Sequence, residues 1–213
     1  MPSSTTSAPS LRRVAPRPYH HGDLRAALLA TAARWLDEQG VEALTLRELA
    51  RAAGVSHAAP YHHFANRDEL LAAVAECAFD RLAAALAAAA SAPDAGHALL
   101  DIGEAYVREA LAHPAQFRLM FGSLLARKAG HPGLKRAAEE AFTVLLQAAT
   151  RFAPERALEI ALGGWSLSHG AAHLSIDGAF ISLPIAPERA RQLARVDAAA
   201  LVRSSITALL QLP

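Results

Sequence analysis

The 213-residue chain has one cysteine, Cys77, so neither a disulfide framework nor a four-thiolate zinc site can be built from it, and this fits a reducing cytosol. Lysine is almost as scarce, with Arg supplying 19 of the 21 basic residues; beside the alanine excess this matches a GC-rich coding bias and carries little mechanistic weight. The longest uncharged apolar run, Leu82 to Ala90, is nine residues, far short of the roughly 20 that span a bilayer. Met1 to Pro18 has no apolar core of signal-peptide length, so a cytoplasmic protein is expected. A net charge of +1 argues neither for nor against nucleic acid. What is abundant is alanine, at 52 residues, in a chain that is 53% apolar with Pro and Gly spread singly. Disorder is excluded and an all-α fold of about nine helices is implied.

Helix starts are legible. Leu24, Leu28, Ala32, Trp35 and Leu36 recur at three- and four-residue steps from Asp23 until Gly40, a left-handed cap. Thr45-Leu46-Arg47-Glu48 is a capping box opening a short second helix that ends before Gly54, and Ser56 can cap a short third helix. Asn66-Arg67-Asp68-Glu69 is a second capping box; it opens a long fourth helix with Leu70, Val74, Ala78, Leu82 and Ala85 on one face. Beyond Pro93, prolines 114, 132, 154 and 187 sit at first-turn positions and divide the remainder into helices over about 94–112, 114–129, 132–152, 154–177 and 187–211. The expected organisation is a basic flexible arm over 1–20, a three-helix head over 21–80 and a helical bundle over 91–213.

Two short helices joined by Ala53-Gly54-Val55-Ser56 have helix-turn-helix spacing. Thr45, Arg47, His57, Tyr61, His62, His63 and Arg67 then gather hydroxyls, imidazoles and guanidinium groups where phosphates flanking a major groove would lie. The stretch TLRELARAAGVSHAAPYHHFANRDELLAAV resembles the DNA-binding signature of TetR-family transcriptional regulators, with Thr45 to Phe64 as the helix-turn-helix. The resemblance implies phosphate contacts from Thr45, Tyr61, His62, His63 and Arg67 and base contacts from His57 and Ala58, with Arg47 and Ser56 completing the DNA-binding set. The third helix departs from that pattern: it has no Arg, Lys, Asn or Gln, so bidentate base pairings are unavailable from it. Readout then rests on imidazoles, alanine methyls and DNA shape. Pro60 removes an intrahelical hydrogen bond, so a tight or irregular first turn is expected. Phe64 reads as packing. Arg12, Arg13 and Arg17, with no acid before Asp23, are either a minor-groove arm or a solvated tail.

In the bundle, Gly163 to Gly178 resembles the Trp-His-Gly signature of one class of TetR-family C-terminal domain, matched by Trp165, His169 and Gly170. Leu158, Leu162, Trp165, His169, Ala172 and Ile176 make an apolar stripe, and Gly163, Gly164 and Gly170 thin that helix for a close crossing. The family pairs through its last two long helices, which makes 154–177 and 187–211 the expected homodimer seam. Tyr106, Phe117, Met120, Phe121, Phe142, Trp165, Ser166 and His169 are the candidate ligand-binding residues, in an apolar interhelical pocket. His169 reads either as a buried imidazole bonded to backbone or Ser166, or as a ligand contact. His169, His173 and Asp177 share one helix face as a weak metal candidate, and otherwise no metal or cofactor is expected. Cys77 reads as inert packing.

The resemblance implies a homodimeric repressor released from a pseudo-palindromic double-stranded DNA operator by a small apolar effector. No nucleophile elbow, phosphate loop or paired acids support an enzyme. The alternative is a helical small-molecule-binding or adaptor protein with a degenerate DNA-binding head.

Overall fold

The computed structural model describes residues 21–122, 130–182 and 197–211, and among them every regular element is helical. The basic arm, the segment 123–129 and the stretch 183–196, which includes Pro187, lie outside the described residues. Helix α1 (His21–Gln39) ends where the Gly40 N–H meets the Leu36 carbonyl at 2.9 Å, with Gly40 at φ +79°. Helix α2 (Leu46–Ala52) starts as expected, the Thr45 hydroxyl accepting from the Glu48 N–H at 3.1 Å. The reciprocal half of that capping box does not form, because the Glu48 carboxylate turns forward to Arg51 at 2.7 Å. α2 closes with paired bonds from Gly54 N–H to Arg51 O and from Val55 N–H to Ala50 O, across Gly54 at φ +67°.

The third helix is corrected to a single 3-10 turn, Ala59–His62. Pro60 has no N–H to return to Ser56, so the segment closes by three-residue bonds, Ala59 N–H to Ser56 O and Tyr61 N–H to Ala58 O. Ala58, not Ser56, stands at its N-cap, and no side chain caps it. Helix α3 (Arg67–Ala89) is capped by Asn66 Oδ1 on the Glu69 N–H, while Glu69 Oε2 accepts from the Ala65 N–H.

Helices α4 (Ala95–Ala112), α5 (Pro114–Phe121), α6 (Pro132–Phe152), α7 (Ala157–Ile176), α8 (Ala179–Ser182) and α9 (Ala198–Leu210) form the bundle. The expected boundaries change at three places. α5 stops at Phe121 before Gly122, not at 129. Pro154 opens a 3-10 turn, Pro154–Arg156, and α7 proper starts at Ala157. The last helix is not continuous over 187–211, since Asp197 is extended and its carboxylate caps α9 through the Ala199 and Ala200 N–H groups.

One core runs from Leu28 of α1 through Leu49, Phe64 and the buried face of α3 to Leu134 and Ala172. Helix α3 supplies it on both sides, packing on α1 in the head and on α4, α5 and α6 in the bundle. A second cluster joins Val107 of α4 to Val202 and Ile206 of α9. A close crossing within the chain occurs there: a Cβ on Gly103 would stand 2.6 Å from Ile206 Cδ1, whereas at Gly163, Gly164 and Gly170 it would meet nothing of this chain within 4 Å. The α7 stripe is likewise split, with Leu158 and Leu162 exposed and Trp165, His169 and Ala172 turned inward.

Candidate functional site

The head exposes Thr45, Arg47, Ser56, His57, Ala58, Tyr61 and His62 at the start of α2 and along the 3-10 turn. Tyr61 is 58% exposed while Phe64, three residues on, is 1% exposed and packs in the core. The tight turn separates the two rings, anchored by Pro60, itself buried. His63 is half-buried with its ring beside Phe64, and the Arg25 guanidinium stands 5.5 Å from the Phe64 ring centre. The Thr45 hydroxyl accepts one bond from the α2 N-terminus and can still donate its proton.

Arg67 has a structural task that sequence reasoning missed. Its Nε donates to Leu44 O at 2.8 Å and its Nη2 to Val41 O at 2.6 Å, tying the start of α3 to the α1–α2 loop. Both Nη1 protons and the second Nη2 proton are outside those two bonds. The guanidinium therefore holds the start of α3 against the helix-turn-helix, whatever else it touches.

In the bundle a cavity of about 550 Å³ lies between α3, α4, α5, α6, α7 and α9. Leu82 and Leu86 of α3, Leu99 and Ile102 of α4, Phe142 and Leu145 of α6, and Ile160 of α7 make its apolar wall. Of the expected ligand residues Tyr106, Phe121, Phe142 and Trp165 line it; Phe117, Met120, Ser166 and His169 do not. Ser166 is exposed, and the buried serine at the cavity is Ser168, two residues on, which the helical period would have placed. The α9 contribution, Ile206, Leu209 and Leu210, was also missed.

His169 stands behind the wall. Its Nδ1 is 2.8 Å from the Tyr106 hydroxyl, which also accepts from Trp165 Nε1 at 3.3 Å. Phe117, Phe121 and His173 surround its ring, and burial, then His173, holds its pKa below the usual histidine value. Burial pushes the Tyr106 hydroxyl up, so it stays protonated. The partner is a tyrosine, not backbone or Ser166. The weak metal face is not assembled either: Asp177 pairs with Arg118 at 2.7 Å, and no cluster of metal-ligating side chains occurs among the described residues.

Head and bundle meet at α5, which packs on both α1 and α3. Gln116, 3% exposed, donates from Nε2 to Asp37 of α1 at 2.7 Å and accepts at Oε1 from Arg81 of α3 at 3.0 Å. Arg81 also holds Glu109 of α4 at 3.0 Å. The next residue of α5, Phe117, lies against Tyr106 and His169, so one short helix touches both the joint and the back of the cavity. Cys77 is corrected from packing to exposed; partial burial and the carboxylates of Asp80 and Glu76 raise its thiol pKa.

Comparisons with known proteins match both halves. Residues 28–74 match the bacterial regulatory proteins of the tetR family, and residues 99–199 match the tetracyclin repressor-like C-terminal domain. A helix-turn-helix-type transcriptional regulator, BetI of Rhizobium meliloti (strain 1021), is 37% identical over 82 residues, which is 37% of this chain and 40% of that protein. The chain thus matches about two-fifths of the length of that curated relative. A solved protein of unknown function from Rhodococcus sp. RHA1 is 32% identical with a TM-score of 0.74, over 92% of this chain and 98% of the other. The TetR family transcriptional regulator PfmR of Thermus thermophilus shares the fold at 23% identity and a TM-score of 0.60, over 86% and 97% of the two chains. With a capped helix-turn-helix head on a helical bundle, and both halves matched, this chain belongs to the TetR family of bacterial regulatory proteins.

Proposed function

We propose that the chain is a cytoplasmic homodimeric repressor that leaves a pseudo-palindromic DNA operator when a small apolar ligand enters the bundle cavity. The observation that carries this reading is α3. Arg67 at its first position holds the reading head, and Phe79, Leu82 and Leu86, twelve or more residues along, line the cavity. At 1.5 Å per residue the 23-residue helix is a rod of about 35 Å. A small tilt at the cavity therefore moves the head by several ångströms and changes the spacing of two heads set for successive major grooves.

DNA contacts fall to Thr45, Arg47, Tyr61, His62 and His63 toward phosphates and to His57 and Ala58 toward bases, with Ser56 beside them and Arg67 reaching through its remaining Nη1 and Nη2 protons. The pairing surface is α7 with α9, where Leu158, Leu174 and Leu201 stand 40–58% exposed. A second copy on that face would remove this apolar surface from water. Non-enzymatic action follows from the family.

The test is an unbiased genomic DNA pull-down with purified protein, sequenced at two salt concentrations. Enrichment of a short pseudo-palindrome that falls steeply with salt is expected. Absence of enrichment at low salt from a folded dimer would overturn the reading and favour a helical binding protein with a degenerate head.

A further inference from the structure

Resting on the reading of the cavity as the effector site, we infer that it takes an uncharged, largely hydrocarbon molecule bearing a single oxygen function, held by the Tyr106 hydroxyl. Its volume of about 550 Å³ lies within the roughly 300–1,000 Å³ usual for sites that enclose small molecules. The interior is mainly Leu, Ile, Phe and Ala from six helices, interrupted by Tyr106, Trp165 and Ser168. The charged lining residues, Arg156 and Glu159, stand at the rim 63% and 68% exposed and bind each other through both carboxylate oxygens at 3.1 Å. A buried ionic ligand group would thus lose its water with no opposite charge among the described lining residues of the interior.

The polar atoms are mostly committed. The Trp165 indole can only donate, and it donates to the Tyr106 oxygen. The same oxygen exchanges a hydrogen bond with neutral His169 at 2.8 Å. If His169 Nδ1 carries the proton, the tyrosine keeps its own hydrogen for a ligand acceptor. If Nδ1 is bare, the tyrosine donates to it and keeps a lone pair for a ligand donor. One position therefore remains on the tyrosine oxygen, and a ligand hydroxyl satisfies it in either tautomer, while a ketone satisfies it in the first. Ser168, 3% exposed, adds no charge.

The experiment titrates the purified full-length protein, by quenching of its tryptophan fluorescence, with 1-decanol, 2-decanone, 1-fluorodecane, decanoate and decylammonium. The alcohol should bind tightest, and the two ions about tenfold or more weaker. Tyr106→Phe, which removes one oxygen, should weaken 1-decanol about tenfold and leave 1-fluorodecane unchanged. Ala141→Trp, filling the cavity, should abolish binding of all five. Decanoate binding as tightly as 1-decanol, Tyr106→Phe leaving 1-decanol unaffected, Ala141→Trp without effect, or no probe binding to the folded protein would each overturn the inference. The probe ranking on the unsubstituted protein stands by itself if a variant fails to fold. Release of DNA is read separately: discrimination without release would sink the regulatory reading and leave this one, and release by decanoate as readily as by 1-decanol would do the reverse.

Discussion

Single residues carry most of what can be tested by substitution. Gly54 holds φ +67° at the turn, a conformation that costs an L-residue about 1–2 kcal/mol, so Gly54→Ala should lower the thermal midpoint by that amount of stability and weaken DNA binding. An unchanged midpoint would show that the turn is free to rearrange. Gly103→Ala should cost about 1–3 kcal/mol in denaturant unfolding, because its methyl would overlap Ile206 and Val202, both in the core. His169 supplies a pH dependence. Its pKa is lowered in the folded chain, first by burial and then by His173, so the unfolded chain binds the proton first as pH falls. Stability is full above about pH 6.5 and declines below it. His169→Gln should flatten that decline in unfolding measured across pH 5 to 8, and a slope identical to that of the parent would contradict the assignment. Gly54, Phe64, Tyr61 and the two N-caps were legible in the sequence because each is a local decision. The clamp of Arg67 on Val41 and Leu44 was not, since it joins residues 23 and 26 positions apart.

Among the elements, α5 is the joint. Gln116→Met keeps similar volume but leaves the Asp37 carboxylate and Arg81 facing each other without their bridge, and should cost about 1–3 kcal/mol. It should also weaken coupling, so that probe binding survives while probe-induced release of DNA falls; full release by the variant would remove α5 from the account. The order of helices and most starts followed from proline and capping residues, which act through the backbone nearby. Ends and faces were harder. Trp165 and His169 of the α7 stripe turn inward as read, whereas Leu158 on the same stripe stands exposed, because apolar spacing alone does not say where along a helix the core ends. The 3-10 turn where an α-helix was expected follows from Pro60, whose lost N–H was noted but whose effect reached the whole segment. The cavity itself rests on packing among six helices, so sequence placed Tyr106, Phe121, Phe142 and Trp165 at it and missed its α3 and α9 walls.

For the whole molecule, pairing and coupling go together. Leu158→Glu with Leu201→Glu puts charges on the two helices proposed to pair and should leave a folded monomer in light scattering. Operator affinity should then drop about 10²–10⁴-fold, since each head binds its half-site alone. A dimer persisting in that variant would move the pairing surface elsewhere. The central claim is that cavity and head share one equilibrium through α3, and linkage makes it reciprocal. The most direct measurement is therefore the affinity of one apolar probe, 1-decanol, for the protein with and without its enriched operator, beside the operator affinity with and without the probe. The account predicts that each weakens the other by the same factor. Probe binding at full strength to the DNA-bound protein, with operator affinity unmoved, would contradict it.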